Sequence, residues 1–240
     1  MLKINNLHKS YKDKHVLKGV DLSVKNGEIK GLVGVNGSGK STLIECVCGV
    51  KKFECGEIKI NDINVLDKKN RNSIKSIMGY MPQSFGMFND LTVEENLGYL
   101  CAIYHLDEKD CVERVLNLCY LQNHRKVIAK NLSGGYRQLL SMACAIIHNP
   151  KFLILDEPTA SMDPIFRRQF WQIVSGCKEN NVTVLVITHY MEELVECDNF
   201  VCLANGKVVF EGSVKDFKKE GLLDMESLLN KYSFSVEVDQ

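Results

Sequence analysis

The sequence predicts an α/β fold, a parallel sheet with helices on its faces, into which a helical segment is inserted. Residues 152–155 form a continuous apolar run of strand length, and the predominantly apolar segments 29–33 and 182–187 indicate two further buried strands. Such runs are typical of central parallel strands that are buried on both faces. Between residues 84 and 149 the apolar periodicity is helical, with no convincing strand pattern. Because the strand pattern returns after residue 150, the helical segment is interpreted as an insertion.

The composition is that of an ordinary globular protein. The chain has 240 residues, 45% of them hydrophobic, which is enough to bury a large core as one domain, with or without a subdomain. Thirty basic and thirty acidic residues balance, so no excess charge favours a nucleic acid or an anionic membrane surface. No apolar run approaches the ~20 residues of a membrane span. Residues 1–6 lack the apolar core of a signal peptide, and we expect a cytoplasmic location.

The ten cysteines are scattered and form no C-x-x-C pair, so a zinc or redox site has little support. Several lie among apolar residues, as Cys144 does, and a free cysteine there behaves as a small hydrophobic side chain. We interpret them as core residues of a protein in a reducing compartment.

The N-terminal part of the chain predicts strands at residues 2–7, 16–24 and 29–33. Asn26-Gly27 indicates a β-hairpin between the last two of them. Further along, a segment at residues 56–61 alternates apolar and polar positions, as a half-buried strand does.

A glycine-rich segment, GVNGSGKST at residues 34–42, fits the phosphate-loop pattern G-x-x-x-x-G-K-[ST]. In this pattern backbone N–H groups close around phosphate oxygens, Lys40 reaches the terminal phosphates, and the Ser41 hydroxyl holds Mg²⁺. A buried strand precedes the loop and a helix over residues 42–47 follows it, which places a helix dipole at the anion. The alternative, an ordinary glycine turn with an exposed lysine, does not account for this context. The segment predicts a nucleoside triphosphate site.

The inserted segment predicts three helices. Residues 92–95 form a capping box before the first helix, and Asp107 is a plausible N-cap for a second over residues 108–118. The third is predicted to begin after Ser133 and to run to His148.

The C-terminal part resumes the α/β pattern. Asp163-Pro164 predicts a helix start with proline at its first position. Asn205-Gly206 indicates a hairpin between two short strands. Residues 213–240 predict two short amphipathic helices and a weak end strand.

Polar side chains follow several of the predicted strands. Asp156 and Glu157 come directly after an apolar strand, where a carboxylate can orient Mg²⁺ and a second one can act as general base. His189 follows another strand and could contact a γ-phosphate, although a lone histidine there is more often a surface residue. Gln83 could reach Mg²⁺ or the attacking water through its amide oxygen. Carboxylates that merely end a strand at a turn are the structural alternative.

A second anion-binding segment is predicted at Ser133-Gly134-Gly135, where a serine cap and two glycines stand at a helix N-terminus. One ATP hardly needs two such segments from one molecule, whereas a head-to-tail dimer does. An ordinary helix start is the alternative. Tyr11 lies in a polar stretch and could stack on adenine or cap the edge of the sheet.

At these residues the chain closely resembles the ATP-binding subunits of ABC transporters. The resemblance covers essentially residues 1–212, with its segments in family order. They are the adenine-stacking aromatic at Tyr11, Walker A at residues 34–41, the Q-loop glutamine at Gln83, the LSGGQ signature at residues 132–136, Walker B with the catalytic glutamate at residues 152–157, the D-loop at residues 160–163, and the switch histidine at His189.

The chain departs from the family pattern at two places. Tyr136 stands where the signature usually has glutamine, while Ser133, Gly134 and Gly135, which contact phosphate in the family, are kept. The D-loop has Ser161 and Met162 where glycine or alanine and then leucine are common. The second departure could tune the coupling of two nucleotide sites without abolishing it.

The resemblance implies the residues of the site and its cofactors, ATP and Mg²⁺. It implies nucleotide contacts from Tyr11, Gly34, Val35, Asn36, Gly37, Ser38, Gly39, Lys40, Ser41, Thr42, Gln83, Ser133, Gly134, Gly135 and Asp163. It implies metal contacts from Ser41, Gln83 and Asp156, and catalytic roles for Glu157 and His189.

The resemblance also implies the organisation of the chain. The expected fold is a P-loop NTPase core, a RecA-like parallel sheet with helices, plus an N-terminal antiparallel β subdomain and an inserted α-helical subdomain. The ABC ATPase domain is expected over residues 1–212, with the α/β core and β subdomain in residues 1–83 and 150–212 and the helical subdomain in residues 84–149. A short tail, residues 213–240, follows.

The implied partners are membrane-spanning permease subunits and a second ABC ATPase subunit, in a homodimer or a heterodimer on the cytoplasmic face of the membrane; no nucleic acid is expected. Phe85, Met87 and Phe88 are candidate permease contacts, with ordinary packing as the alternative. Soluble ABC ATPases that act on ribosomes or DNA share these motifs, but they generally carry two cassettes or long coiled coils. Residues 163–171 resemble ATPases of the ABC-2 type, mostly exporters, which favours export over import.

Overall fold

The structure is a computed structural model, and it describes residues 1–12, 14–160 and 162–219. It divides into two compact units: Met1–Ile74 together with the chain from Leu185 onward, and Lys75–Val184. Ser161 of the predicted D-loop and the predicted end strand of the tail lie outside the described residues. Among the described residues, no helix combines the length and the apolar character that crossing a membrane requires.

Ten strands and seven α-helices are described. The strands are β1 (Leu2–Tyr11), β2 (Lys14–Val24), β3 (Ile29–Val33), β4 (Cys55–Ile60), β5 (Ile63–Asn64), β6 (Met78–Met81), β7 (Phe152–Asp156), β8 (Thr183–Ile187), β9 (Asn199–Ala204) and β10 (Lys207–Gly212). The helices are α1 (Lys40–Val47), α2 (Arg71–Ile77), α3 (Val93–Tyr104), α4 (Glu108–Leu118), α5 (Gly134–Ile146), α6 (Pro164–Glu179) and α7 (Val214–Lys219). Short 3₁₀ helices occupy Lys68–Asn70, Gln122–His124, Ala129–Asn131 and Met191–Glu196.

The first unit contains a four-stranded antiparallel sheet in the order β2-β1-β4-β5. Leu2 and Ile4 of β1 lie opposite Ile60 and Ile58 of β4, and all four side chains are buried. These buried side chains occupy alternate positions of their strands and therefore lie together on one apolar face of the sheet. This sheet confirms the predicted N-terminal antiparallel subdomain.

The first unit also contains strands of a second sheet, in which the order of neighbouring strands is β10-β9-β3-β8. β3 pairs with β9 in parallel and is buried at all five positions, as expected of a central strand. The hairpin predicted at Asn205-Gly206 is confirmed, because β9 and β10 pair antiparallel on either side of it.

The hairpin predicted at Asn26-Gly27 is wrong. The chain does turn there, with Gly27 at a φ of 68° and a bond from the Glu28 N–H to the Lys25 carbonyl. However, β2 pairs with β1 in the antiparallel sheet, whereas β3 lies between β9 and β8 in the other sheet. Turn residues determine only the local reversal of the chain, while burial of β3 on both faces requires its place at the centre of a sheet.

The second unit contains β6 and β7, which pair in parallel, with β8 next to β7. Helices α3, α4 and α5 occupy the segment predicted to be helical. The capping box is confirmed, because the Thr92 hydroxyl accepts from the Glu95 N–H and the Glu95 side chain accepts from the Thr92 N–H. Asp107 caps α4 as predicted.

The start and the end of α5 differ from the prediction. Ser133 occupies the N-cap position, but its side chain makes no capping hydrogen bond, so the predicted serine cap is wrong. The helix ends at Ile146, two residues before the predicted His148. Asn149 then adopts a positive φ of 52°, which directs the chain out of the helix before Pro150.

Candidate functional site

The phosphate-loop segment of the first unit joins the buried strand β3 to helix α1. Gly39 occupies the N-cap of α1 with a φ of 110°. A Cβ on Gly34 would lie 2.3 Å from the backbone oxygen of Leu203, and Gly37 has a φ of 81°. Residues with side chains would clash at the first position and be strained at the second. The glycines thus let the backbone follow a path that other residues could not adopt.

The Lys40 ammonium lies inside this loop. It donates to the carbonyl oxygens of Gly34 at 2.7 Å and Val35 at 3.1 Å, and the residue is only 8% exposed. The Ser38 hydroxyl is also buried and has no hydrogen-bond partner within the described ranges. A buried cation and an unpaired buried hydroxyl beside a glycine-lined loop fit a bound phosphate.

The remaining loop residues are accessible to different degrees. Val35, Asn36 and Gly37 are exposed, as is Ser41, while Thr42 is half-buried. Burial raises the pKa of the nearby Cys202 thiol to about 12, although the positive charge of Lys40 acts in the opposite direction.

Tyr11 lies exposed at the end of β1. Its hydroxyl is 3.5 Å from a carboxylate oxygen of Glu45 on α1, and the ammonium groups of Lys9 and Lys51 lie 5.0 and 6.0 Å from the ring centroid. A hydrogen bond to Glu54 raises the pKa of Lys9, which keeps it charged. Sequence reasoning found Tyr11 but not the two lysines, because cation–π contacts have no motif.

His189 follows β8 and is exposed, with its ring centroid 3.9 Å from that of Tyr190. The preceding Thr188 donates its backbone N–H to the carbonyl of Leu32 at 3.1 Å. Because Leu32 lies two residues before Gly34, this bond places His189 beside the strand that leads into the phosphate loop.

The second unit brings Gln83 and Glu157 together. The Gln83 amide donates to the Glu157 carboxylate at 2.7 Å. The parallel register aligns Met81 with Leu155, and Gln83 and Glu157 each lie two residues beyond this aligned pair. Glu157 has a φ of 47°, a conformation uncommon for a non-glycine residue and frequent at functional sites.

Asp156, the last residue of β7, receives a hydrogen bond from the Tyr80 hydroxyl at 3.3 Å. Tyr80 lies opposite Ile154 in the parallel register, and Asp156 is two residues further along the same face. Sequence reasoning did not single out Tyr80. Its position three residues before Gln83 was the available signal.

The signature segment begins helix α5. Ser133 and Gly134 are exposed, whereas Gly135 is buried. Asp163 caps α6 by accepting from the backbone N–H groups of Ile165 at 2.9 Å and Phe166 at 3.1 Å. Gly134, Gly135 and Asp163 lie where the sequence predicts them relative to their helices, whereas Ser133 holds the N-cap position without the predicted capping hydrogen bond.

The sequence pattern of the family described as "ABC transporter" matches residues 17–160. The chain belongs to the ABC transporter family. It carries the ATPase domain of that family, with the phosphate loop, the strand-end carboxylates and the signature segment described above.

Curated members of the family are similar over nearly the whole chain. The probable multidrug ABC transporter ATP-binding protein YbhF of Escherichia coli is 33% identical over 93% of this chain, which spans 39% of YbhF. The methionine import ATP-binding protein MetN of Clostridium tetani is 32% identical over 99% of this chain and 79% of MetN. The linearmycin resistance ATP-binding protein LnrL of Bacillus subtilis is 33% identical over 90% of this chain and 70% of LnrL.

Solved structures of ABC cassettes have the same fold. The structure of an ATP-binding subunit of an ABC transporter matches with a TM-score of 0.86 and 28% identity over 97% of this chain and 99% of that one. A dimeric post-hydrolysis cassette bound to ADP and phosphate matches with a TM-score of 0.82 and 28% identity over 89% of this chain and 99% of that one. These matches confirm the predicted α/β fold class of an ABC ATPase.

Proposed function

We propose that the protein hydrolyses ATP to drive transport of a substrate across a membrane, as a dimer of ATPase subunits beneath separate permease subunits. The observation that carries the proposal is the pairing of Gln83 with Glu157 next to Asp156. Hydrolysis of a phosphoanhydride needs a positioned base and electrostatic stabilisation, and these three side chains supply groups suited to both tasks.

Residues of the phosphate loop bind the triphosphate. The backbone N–H groups of residues 34–42 donate to phosphate oxygens, and the Lys40 ammonium moves from the loop carbonyls to the terminal phosphates. Tyr11 stacks on the adenine, which requires its exposed ring face. Lys9 and Lys51 border that ring with positive charge.

Ser41, Gln83 and Asp156 are the residues that would hold Mg²⁺, since hydroxyl, amide and carboxylate oxygens are its preferred protein ligands. When bound there, Mg²⁺ would neutralise negative charge on the triphosphate. Tyr80 keeps the Asp156 carboxylate oriented through its hydroxyl.

Glu157 acts as the general base. Its carboxylate accepts a proton from the attacking water, and the bond from Gln83 fixes its orientation. His189, exposed after β8, contacts the γ-phosphate. Each side chain performs its step from the end of a strand.

Ser133, Gly134 and Gly135 bind the nucleotide of a second subunit. The first two are exposed at the start of α5, where the backbone N–H groups of a first helical turn have no partner within the helix and can bind an anion. Asp163 contacts that nucleotide from the start of α6. The dimeric cassette with ADP and phosphate supports this arrangement, because it shares the fold at 28% identity. The partner is a second copy or a related ATPase subunit.

We assign residues 1–212 to the ABC ATPase domain, with residues 1–83 and 150–212 as the core and β subdomain, residues 84–149 as the helical subdomain and residues 213–240 as the tail. Phe88 is 46% exposed and Phe85 and Met87 are half-buried, so Phe88 presents the largest apolar contact to a permease. The subunit then lies on the cytoplasmic face of the membrane.

Export is the proposed direction. YbhF is named as a multidrug transporter protein and LnrL as a resistance protein, while MetN is named as an importer. The resemblance of residues 163–171 to ABC-2 type ATPases favours the first two.

Co-purification tests this function. The affinity-tagged chain is expressed in cells and captured after solubilisation of the membranes in mild detergent. We expect a membrane-spanning partner in stoichiometric amount and ATP hydrolysis by the complex, which the Glu157→Gln variant abolishes. Ribosomes or DNA in place of a membrane protein would overturn the transport function.

A further inference from the structure

Tyr136, which stands at the fifth signature position in place of the usual glutamine, belongs to an aromatic cluster. The Tyr136 ring lies between His124 and Phe166, with centroid separations of 3.8 Å and 4.8 Å. The ring planes of Tyr136 and Phe166 are 81° apart, an edge-to-face arrangement that aromatic pairs prefer. A glutamine at this position could not make either ring contact.

Phe166 also packs on the backbone of the signature. A Cβ on Gly135 would lie 2.6 Å from the Phe166 Cγ, so the ring covers this glycine directly. The backbone N–H of Phe166 donates to the Asp163 carboxylate at 3.1 Å. One aromatic residue therefore connects the first turn of α5 to the capped first turn of α6.

The other side of the cluster is anchored in an ordered turn. The His124 N–H donates to the Leu121 carbonyl at 2.9 Å, and its own carbonyl accepts from the Val127 N–H at 2.9 Å. Arg137, one residue beyond Tyr136, donates to the Lys130 carbonyl at 2.9 Å. The first turn of α5 is thus held from both sides, although Ser133 provides no side-chain cap.

We propose that Tyr136 and Phe166 are positioning residues, which hold Ser133-Gly134-Gly135 in the geometry that receives the nucleotide of the second subunit. The cluster compensates for the missing serine cap and the missing signature glutamine. This inference rests on the proposed function, because it concerns the same dimer. Tyr136 itself need not touch the nucleotide; it acts through the backbone of the turn.

Replacement of Tyr136 should weaken formation of the ATP-bound dimer. It should leave the binding of ATP to the chain's own phosphate loop unchanged. Loss of the ring at position 136 removes two aromatic contacts, which corresponds to about a tenfold loss of ATP-driven dimer formation. Removal of the hydroxyl alone keeps both ring contacts and has little effect. A residue that merely stabilises the fold would change ATP binding and dimer formation together.

The experiment compares Tyr136→Gln, Tyr136→Phe and the control Tyr99→Ala, each in the Glu157→Gln background. Tyr99 is a suitable control because it forms an edge-to-face pair with Phe88, at 4.8 Å, in the same unit. ATP-dependent dimer formation is measured by analytical ultracentrifugation, and ATP binding to the monomer by equilibrium titration at low protein concentration.

We expect Tyr136→Gln to raise the ATP concentration needed for half dimerisation about tenfold, while Tyr136→Phe and Tyr99→Ala stay within twofold. Unchanged dimerisation in Tyr136→Gln, or a parallel loss of monomer ATP binding, would overturn the positioning role. A Ser133→Arg variant separates this inference from the proposed function. If Ser133→Arg dimerises normally, or the Glu157→Gln parent forms no ATP dimer, the proposed function fails and the inference fails with it.

Discussion

The side-chain amide of Gln83 donates a 2.7 Å hydrogen bond to the carboxylate of Glu157. The two residues lie 74 positions apart in sequence and meet because β6 and β7 are parallel and in register at Met81 and Leu155. The bond fixes one carboxylate oxygen of Glu157 and so restricts the rotation of the side chain. Glu157, the proposed general base, is therefore held in place by Gln83, which is itself a proposed ligand of Mg²⁺.

Replacement of Glu157 by glutamine should separate ATP binding from hydrolysis. The amide keeps the size of the side chain and can still accept from Gln83, but it cannot accept a proton from water. We expect turnover to fall by about 10²–10⁴-fold while ATP binding is retained and an ATP-bound dimer accumulates. Phosphate release and size-exclusion chromatography with ATP measure the two effects. Glu179→Gln, at the exposed end of α6, is the control. Full hydrolysis by Glu157→Gln would remove Glu157 from the role of base.

Removal of the Lys40 ammonium should weaken nucleotide binding. The group is buried in the phosphate loop and donates to two loop carbonyls. Because charge-assisted hydrogen bonds contribute about 1.5–3 kcal/mol each, Lys40→Ala should bind ATP about 10–100-fold more weakly. Isothermal titration calorimetry measures the affinity, and Lys126→Ala, at an exposed position, should leave it unchanged. Equal affinity in Lys40→Ala would contradict the phosphate contact.

Much of the fold could be predicted from the sequence because many strands and helices are determined by local sequence patterns. The buried strand β3 and the capping box of Thr92 and Glu95 are determined by neighbouring residues, and both occur in the structure. The hairpin at Asn26-Gly27 was mispredicted because strand pairing depends on distant partners. β3 pairs with β9, some 170 residues later, and no local signal indicates that choice.

The residues of the candidate site also fall into two groups, those that local sequence patterns identify and those that depend on distant contacts. Lys40 and Glu157 belong to contiguous motifs, so sequence reasoning found them. Tyr80 and Phe166 act through contacts between segments that are remote in sequence, namely with Asp156 and with Gly135. Such contacts follow from strand register and helix packing, and no spacing rule in the sequence reports them.

Thiol labelling should find one fast-reacting cysteine. Cys55 is exposed at the start of β4, whereas the other nine cysteines are buried or half-buried. Burial raises the pKa of Cys46 to about 11 and that of Cys144 to about 12, so their reactive thiolate forms are scarce at pH 8. We expect one equivalent of rapid reaction with a maleimide under native conditions, located at Cys55 by peptide mass spectrometry. Cys55→Ser should abolish this phase; fast labelling of Cys144 in the folded protein would contradict the structure.

Acidification should destabilise the protein through His148. Its ring stacks on Tyr104 with centroids 4.1 Å apart, and its Nε2 lies 3.1 Å from the carbonyl oxygen of Met78, to which the neutral ring donates. Burial lowers the pKa of His148 below 6.5; the hydrogen bond with Met78 acts in the opposite direction, and the charge of Arg114 lowers the pKa further. The unfolded chain therefore binds a proton more readily than the folded one. The contribution of His148 to the free energy of unfolding is therefore retained well above pH 6.5 and is lost as the pH falls through that value.

Urea denaturation between pH 7.5 and pH 5 measures this effect. Relative to the parent, His148→Gln should reduce the loss of unfolding free energy on acidification, because glutamine stays neutral and can still donate to Met78. The matched control is His105→Asn, at an exposed helix end where the left-handed φ of 54° is tolerated by asparagine. It should keep the pH dependence of the parent. If His148→Gln and the parent lose stability equally between pH 6.5 and pH 5, other groups account for the acid sensitivity.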